Sequence, residues 1–304
     1  MNFSKEGNSE IGVSEQCQLA VNDLASSFSL TLTLPFTNSS ESMRNRKRGR
    51  TTFISKEEQL RTYYETLHHA WGPQHWWPAR TRFEVIVGAY LTQNTSWINV
   101  EIAMRRLRQA GVLTLTGIRR TSVPDLEALI RSSGFFRQKA LRLKLFVAFV
   151  DDRYGGSLNR MFAQPTEQLR QELLALSGIG PETADSILLY AGQHSVFVVD
   201  AYTRRILERH EIVSSSASYE EIRALFERAL GGSQLVCAES VNIMSKLQPA
   251  HPPSAMSRAK RSTVAQIYND MHGLIVGVGK SYCLKSKPRC EKCPLQQFLP
   301  KAIK

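Results

Sequence analysis

No apolar run in this chain is long enough to cross a membrane, and no apolar stretch follows a basic start as a secretory signal would. Alternating apolar and polar segments are nearly missing as well. Residues 29–35 carry that pattern, but nothing of comparable strength pairs with them. Cysteine is sparse: Cys17, Cys237, Cys283, Cys290 and Cys293 are the whole complement of five. An odd count with three clustered argues against a disulfide framework and for metal ligation in a reducing compartment. Acid is in short supply too, with 27 Asp and Glu against 39 Lys and Arg, a net charge of +12. The expectation is a soluble, cytoplasmic protein whose surplus charge suits a polyanion. Charge alone does not decide this, because many basic proteins bind no nucleic acid.

What is present is helical pattern. Residues 1–54 are rich in Ser, Asn and Thr, end in the basic run Arg44, Arg46, Lys47, Arg48 and Arg50, and read as a disordered basic extension. Ser55-x-x-Glu58 then has the form of a capping box, with Leu60, Tyr63 and Leu67 at helical spacing behind it. Further helices are predicted over 82–94, 96–110, 124–130, 138–151, 165–176, 181–192, 201–210, 219–230 and 264–278. The fold class is therefore all-α. Residues 236–262, with Pro249, Pro252 and Pro253, break the pattern and read as an inserted surface loop containing a short helix.

The densest information lies in Leu176-Ser-Gly-Ile-Gly-Pro-Glu-Thr-Ala-Asp185 and Phe197-Val-Val-Asp-Ala-Tyr-Thr-Arg-Arg-Ile206. The first reads as helix, tight turn, helix. Gly178 and Gly180 mark backbone angles that a side chain would forbid, and Pro181 suits a first helical turn. Such a hairpin points backbone N–H groups at an anion, here a nucleic-acid phosphate. Asp200 opens the next helix, where an aspartate is either an N-cap or a fixed carboxylate for chemistry.

Together these residues resemble the helix-hairpin-helix-Gly/Pro-Asp superfamily of DNA glycosylases, the endonuclease III group, over roughly residues 56–235 and 263–298. The pattern falls on Leu176, Gly178, Ile179, Gly180, Thr183 and Ala184, and the family's essential aspartate on Asp200. The resemblance implies two helical lobes. One is a six-helix barrel over 82–196 that carries the hairpin. The other is built from 55–81 plus 197–304, with the insertion 236–262 and a cysteine loop at 283–293. It also implies excision of damaged bases from duplex DNA by a monomer, in a cytoplasmic, nucleoid-associated setting. Gly178, Ile179, Gly180 and Thr183 would contact DNA, and Gln93 would fill the gap left by a flipped base; Gln93 also reads as a helix-end cap.

Bifunctional relatives place an amine two residues after the second hairpin glycine, where this chain has Glu182. A carboxylate forms no Schiff base. The resemblance therefore implies hydrolysis by water with little or no lyase step, unless Lys139 or Lys280 supplies an amine from a different geometry. Glu182 also reads simply as a first-turn acid that complements the helix dipole. His75-Trp-Trp-Pro-Ala79 and Leu91-Thr-Gln-Asn-Thr-Ser-Trp97 resemble the bacterial 3-methyladenine branch. Trp76, Trp77, Pro78, Trp97 and Lys280 would line the base pocket, with one ring of the Trp pair turned inward and the other toward the cleft. Electron-rich rings prefer the cationic alkylpurines; the plain alternative is an aromatic core. Two other functions remain open: a lyase on oxidised pyrimidines, and a DNA-binding protein without catalysis.

Cys283-x6-Cys290-x2-Cys293 reproduces three of the four ligands of the family's [4Fe–4S] loop, and Leu299 stands where the fourth belongs. A cluster completed by another ligand, with Cys237 a remote candidate, a zinc site and a relic loop are all consistent with that pattern.

Overall fold

The computed structural model describes residues 54–232 and 252–300. The basic extension, Cys17, Cys237 and the first part of the inserted stretch lie outside the described residues, so the disorder expected for the extension and the short helix expected there are untested. Among the described residues every regular element is helical, as the sequence pattern predicts.

The chain runs through α1 (Lys56–Trp71), α2 (Arg82–Thr92), α3 (Trp97–Gln109), α4 (Leu115–Arg120), α5 (Val123–Ile130), α6 (Phe136–Tyr154), α7 (Leu158–Phe162), α8 (Thr166–Leu174), α9 (Pro181–Ser186), α10 (Ala201–Arg209), α11 (Tyr219–Leu230) and α12 (Thr263–Ser281). Residues 187–192 continue α9 as a wider, π-type turn. The short α4 and α7 carry too few periodic positions to stand out in sequence. Polar caps set the starts: Thr81 accepts from Glu84 N at 3.1 Å, and Ser122 from Asp125 N at 3.2 Å. At α1, Ser55 accepts from Glu58 N at 3.1 Å. The reciprocal box instead stands at α11, where Ser218 and Glu221 cap each other.

Helix α1 packs on α11 and α12, and α10 lies along α12. The close approach of α10 depends on Gly279, where an added Cβ would sit 2.3 Å from the Tyr202 ring. Helix α2 packs on α3, α6 and the π-type continuation of α9, which also touches α12. The Leu176–Pro181 turn and Asp200 are thereby set on neighbouring elements. Beneath them, buried Arg170 of α8 is bidentate to Asp185 of α9 at 2.7 and 3.2 Å and reaches Glu220 at 2.6 Å. Tyr219 donates to the same Asp185 at 2.8 Å, so α8, α9 and α11 are locked by one polar cluster.

Candidate active site

Asp200 takes the N-cap role that the sequence allowed. As N-cap of α10, its Oδ1 accepts from Thr203 N at 2.7 Å and from Thr203 Oγ1 at 2.9 Å. Its Oδ2 is left for other work and lies 3.6 Å from His272 Nε2 of α12. Glu182 stands nearby on the first turn of α9. The residue is exposed to solvent. Loss of water within the surrounding cleft, and then the Asp200 charge, raise its carboxyl to about 7.

The tryptophans form a wall. Trp76 and Trp77 meet edge to face at 5.6 Å, and Trp77 meets Trp97 at 5.3 Å. Both members of the pair are buried, 7% exposed each, and Trp77 is the one that also borders a cavity. The loop between α1 and α2 turns sharply enough, with φ +51 at His75, to pack them on different neighbours. Trp77 lies on Gly88 and Tyr190, while Trp76 lies against Gly273 and His272. Trp97 is the half-exposed ring, its indole N–H donating to Glu101 at 2.8 Å. Trp77, Pro78 and Trp97 line a cavity of about 390 Å³ with Glu101, Met104, Arg105 and Arg108. Asp200 is not among its lining residues. Lys280 stands 5.7 Å over the Trp76 ring. Burial lowers the Lys280 ammonium, and Asp200 and Glu101 pull it back up.

The inserted stretch has more to do with the site than its composition suggested. Ser254 Oγ accepts from Ala79 N at 3.3 Å and donates to Trp77 O at 3.0 Å, and Met256 N donates to Ala79 O at 3.1 Å. Residues 254–256 therefore pin the Trp-Trp-Pro loop from behind. Nothing in the sequence pointed to this.

Gln93 is tied to the hairpin. Its Nε2 donates to Gly178 O at 2.9 Å and Thr183 Oγ1 at 3.0 Å, and its Oε1 accepts from Arg142 at 3.1 Å. Gly178 has φ +83, and an added Cβ would lie 2.0 Å from Arg142 Nε. Gly180 differs from the sequence expectation. Its φ of −97 and ψ of 177 are extended backbone open to any residue, and a Cβ there would meet nothing. Lys139 is no free amine. It is 1% exposed and donates to Leu91 O at 2.9 Å, Thr95 Oγ1 at 3.0 Å and Ser133 O at 2.7 Å. Close beside it stands Phe135, which sequence reasoning passed over. It is 65% exposed, with φ +45, between Gly134 and the start of α6.

At the C-terminal loop, desolvation raises the Cys293 thiol, and Cys283 and Cys290 lie close enough to add to the effect. Arg209 donates to Cys283 Sγ at 3.0 Å, and Leu299 is buried. Among the described residues no group of three or more His, Cys, Asp or Glu side chains is arranged to hold a metal ion. Three thiols with an aliphatic side chain at the fourth place do not fit a four-thiolate cluster.

Comparison with known proteins agrees with this geometry. A family model described as "HhH-GPD superfamily base excision DNA repair protein" matches residues 87–231. The Methanocaldococcus jannaschii protein MJ1434, an inferred DNA repair glycosylase, is 38% identical over 80% of this chain and 97% of its own length. Endonuclease III-like protein 1 of Bos taurus is 28% identical over 74% of this chain and 61% of its own. Among solved structures, H. pylori 3-methyladenine DNA glycosylase bound to 1,N6-ethenoadenine is 28% identical with a TM-score of 0.57, over 75% of this chain and 98% of that one. A trapped endonuclease III–DNA covalent intermediate has a TM-score of 0.61 at 20% identity, over 81% of this chain and 97% of that one, a likeness of fold. The chain belongs to the HhH-GPD superfamily of base excision DNA repair proteins and is a DNA repair glycosylase of that family.

Proposed function

We propose that this glycosylase removes alkylated purines from duplex DNA by water attack and leaves the strand uncut. The observation that carries the reading is the aromatic wall itself: Trp77 meets Trp76 and Trp97 edge to face, and Trp77, Pro78 and Trp97 line a cavity that also holds Glu101. A flipped base with a formal positive charge gains from stacking on such electron-rich rings. Asp200 Oδ2 stabilises positive charge on the sugar as the base leaves and orients the attacking water. Glu182 cannot form an imine, and Lys139 is spent on three acceptors. Phe135 and Ile98, 65% and 70% exposed, flank the turn that holds Gln93 and are the apolar side chains placed to enter an opened duplex.

Duplexes carrying alkylated purines or oxidised pyrimidines distinguish the alternatives when incubated with the purified protein and resolved with and without alkali. Strand breaks should appear only after alkali and only on the alkylated series, and borohydride should trap no covalent complex. A strong trapped band abolished by Lys280→Met would instead put the amine of Lys280 at the sugar and make the protein a lyase. Absence of base release from either series would favour a DNA-binding role without catalysis. The [4Fe–4S] question is read separately, by absorbance near 400 nm of freshly purified protein.

A further inference from the structure

His272 is fully enclosed, 4% exposed, and serves neither the core nor the chemistry assigned so far. Its Nδ1 lies 2.6 Å from the Tyr190 hydroxyl. Its Nε2 has no hydrogen-bond partner and lies 3.6 Å from Asp200 Oδ2, the oxygen that the helix cap does not use. A buried ring nitrogen left bare is costly, so its partner is expected to arrive during function. Three aromatic rings hold the imidazole in place: Trp76 at 6.2 Å, Tyr190 at 5.8 Å and Phe197 at 6.5 Å.

The proton positions follow from the donor inventory. Burial keeps the Tyr190 phenol protonated, leaving its O–H to donate to His272 Nδ1. A neutral imidazole that accepts at Nδ1 carries its hydrogen on Nε2, facing Asp200. Desolvation favours that neutral form, and Asp200 opposes it more weakly. The other charged groups acting on this chain are Glu182 of α9 and Arg261, which act on Tyr190, and Lys280 of α12, which acts on Asp200.

We propose that Tyr190 and His272 form a hydrogen-bonded relay in which His272 Nε2–H positions the free oxygen of Asp200 for base excision, with the ring contact of Trp76 on the imidazole tying the aromatic wall to the catalytic carboxylate. His272 acts through Asp200 and is a positioning residue. The inference rests on Asp200 as the catalytic carboxylate. A gap of 3.6 Å becomes a hydrogen bond after a shift of well under 1 Å, such as a base seated on Trp76 would produce.

The test uses the full chain and a duplex with one alkylated purine, under single-turnover conditions. His272→Leu should slow excision roughly tenfold to a hundredfold with little change in affinity for an abasic-analogue duplex. The acidic limb of its rate–pH profile should move up by roughly one unit, because the carboxylate has lost a donor to its charged form. His272→Gln, whose amide N–H reaches the same place, should recover most of the rate, and Tyr190→Phe should show the same effects more weakly. A rate and profile unchanged in His272→Leu overturn the proposal. So does a loss with an unmoved profile and no recovery in His272→Gln, the behaviour of a packing residue. Long-range 15N–1H spectra of His272 in the wild type and in Asp200→Asn give a readout that needs no activity. A proton on Nε2 in both supports the relay, and a proton on Nδ1 overturns it. If Asp200→Asn keeps the wild-type rate while the tautomer is as expected, it is the catalytic reading of Asp200 that fails.

Discussion

Two regions of this glycosylase bury a basic side chain, and they treat it in opposite ways. Under the Gln93 turn, Lys139 gives its ammonium hydrogens to two carbonyls and a hydroxyl from three separate segments. Desolvation, helped by Arg142, lowers it to about 8, which leaves it charged near neutrality. Beside Asp200, His272 keeps one nitrogen paired and the other bare, and Glu182 sits with its carboxyl pushed up to about 7. A fully paired buried charge fixes geometry. A partly paired neutral ring such as His272 is held for a partner that comes later, and titratable groups with displaced pKa values gather at reaction centres.

The sharpest break of that comparison is Asp200→Asn. Asparagine still caps α10 through its side-chain oxygen, so folding and DNA affinity should survive. Single-turnover excision should fall by about 10² to 10⁴-fold, the usual worth of a positioned carboxylate. A near wild-type rate would reduce Asp200 to a cap.

Lys139→Met tests the opposite region. It removes the ammonium donor from Leu91 O and from Ser133 O, which keeps Thr95 Oγ1 as a donor, and should lower stability by on the order of 2 kcal/mol in urea unfolding. The excision rate per folded molecule should change by less than about tenfold, since no reacting atom is lost. A stable variant with abolished excision would place Lys139 in the chemistry and reverse the contrast.

Glu182→Gln carries a smaller effect with a definite sign. From the ordinary 4.5 up to about 7 the folded chain keeps a proton that the unfolded chain has released, so stability contributed by this group falls as pH rises through that window. Glutamine does not titrate. Its melting temperature should therefore gain on the wild type from pH 4.5 to pH 7 and hold a constant lead above that. A difference independent of pH would mean that Glu182 is ordinarily solvated.

The amino-acid sequence disclosed the all-α class, most helix positions, the hairpin and the Asp200 cap, because each depends on residues close together in the chain. Period, caps and Gly-x-Gly-Pro are local properties. It did not disclose His272, whose ring reaches Tyr190, 82 positions away, through packing of α12 on the π-type turn. Ser254 was hidden for the same reason, acting on Trp77 from 177 positions away. The Trp pair was legible in part: two adjacent rings that cannot share one helix face point to a loop, but not to the neighbours on which each ring packs.

The smallest effect separates the two hairpin glycines, which the motif treats alike. Gly178 needs its positive φ, and Arg142 fills the space a side chain would take. Gly178→Ala should cost about 1–2 kcal/mol from the left-handed backbone alone, with displacement of the Arg142–Gln93 contact added. Gly180→Ala meets no atom and no forbidden angle, so its stability should stay within about 0.5 kcal/mol of the wild type. Its cost should appear on DNA instead. A methyl group on an otherwise open face would hold a phosphate slightly away from the N-terminus of α9 and weaken binding to undamaged duplex a few-fold at low salt. Equal binding by Gly180→Ala and wild type at 50 mM salt would mean that the duplex backbone does not pass over this turn.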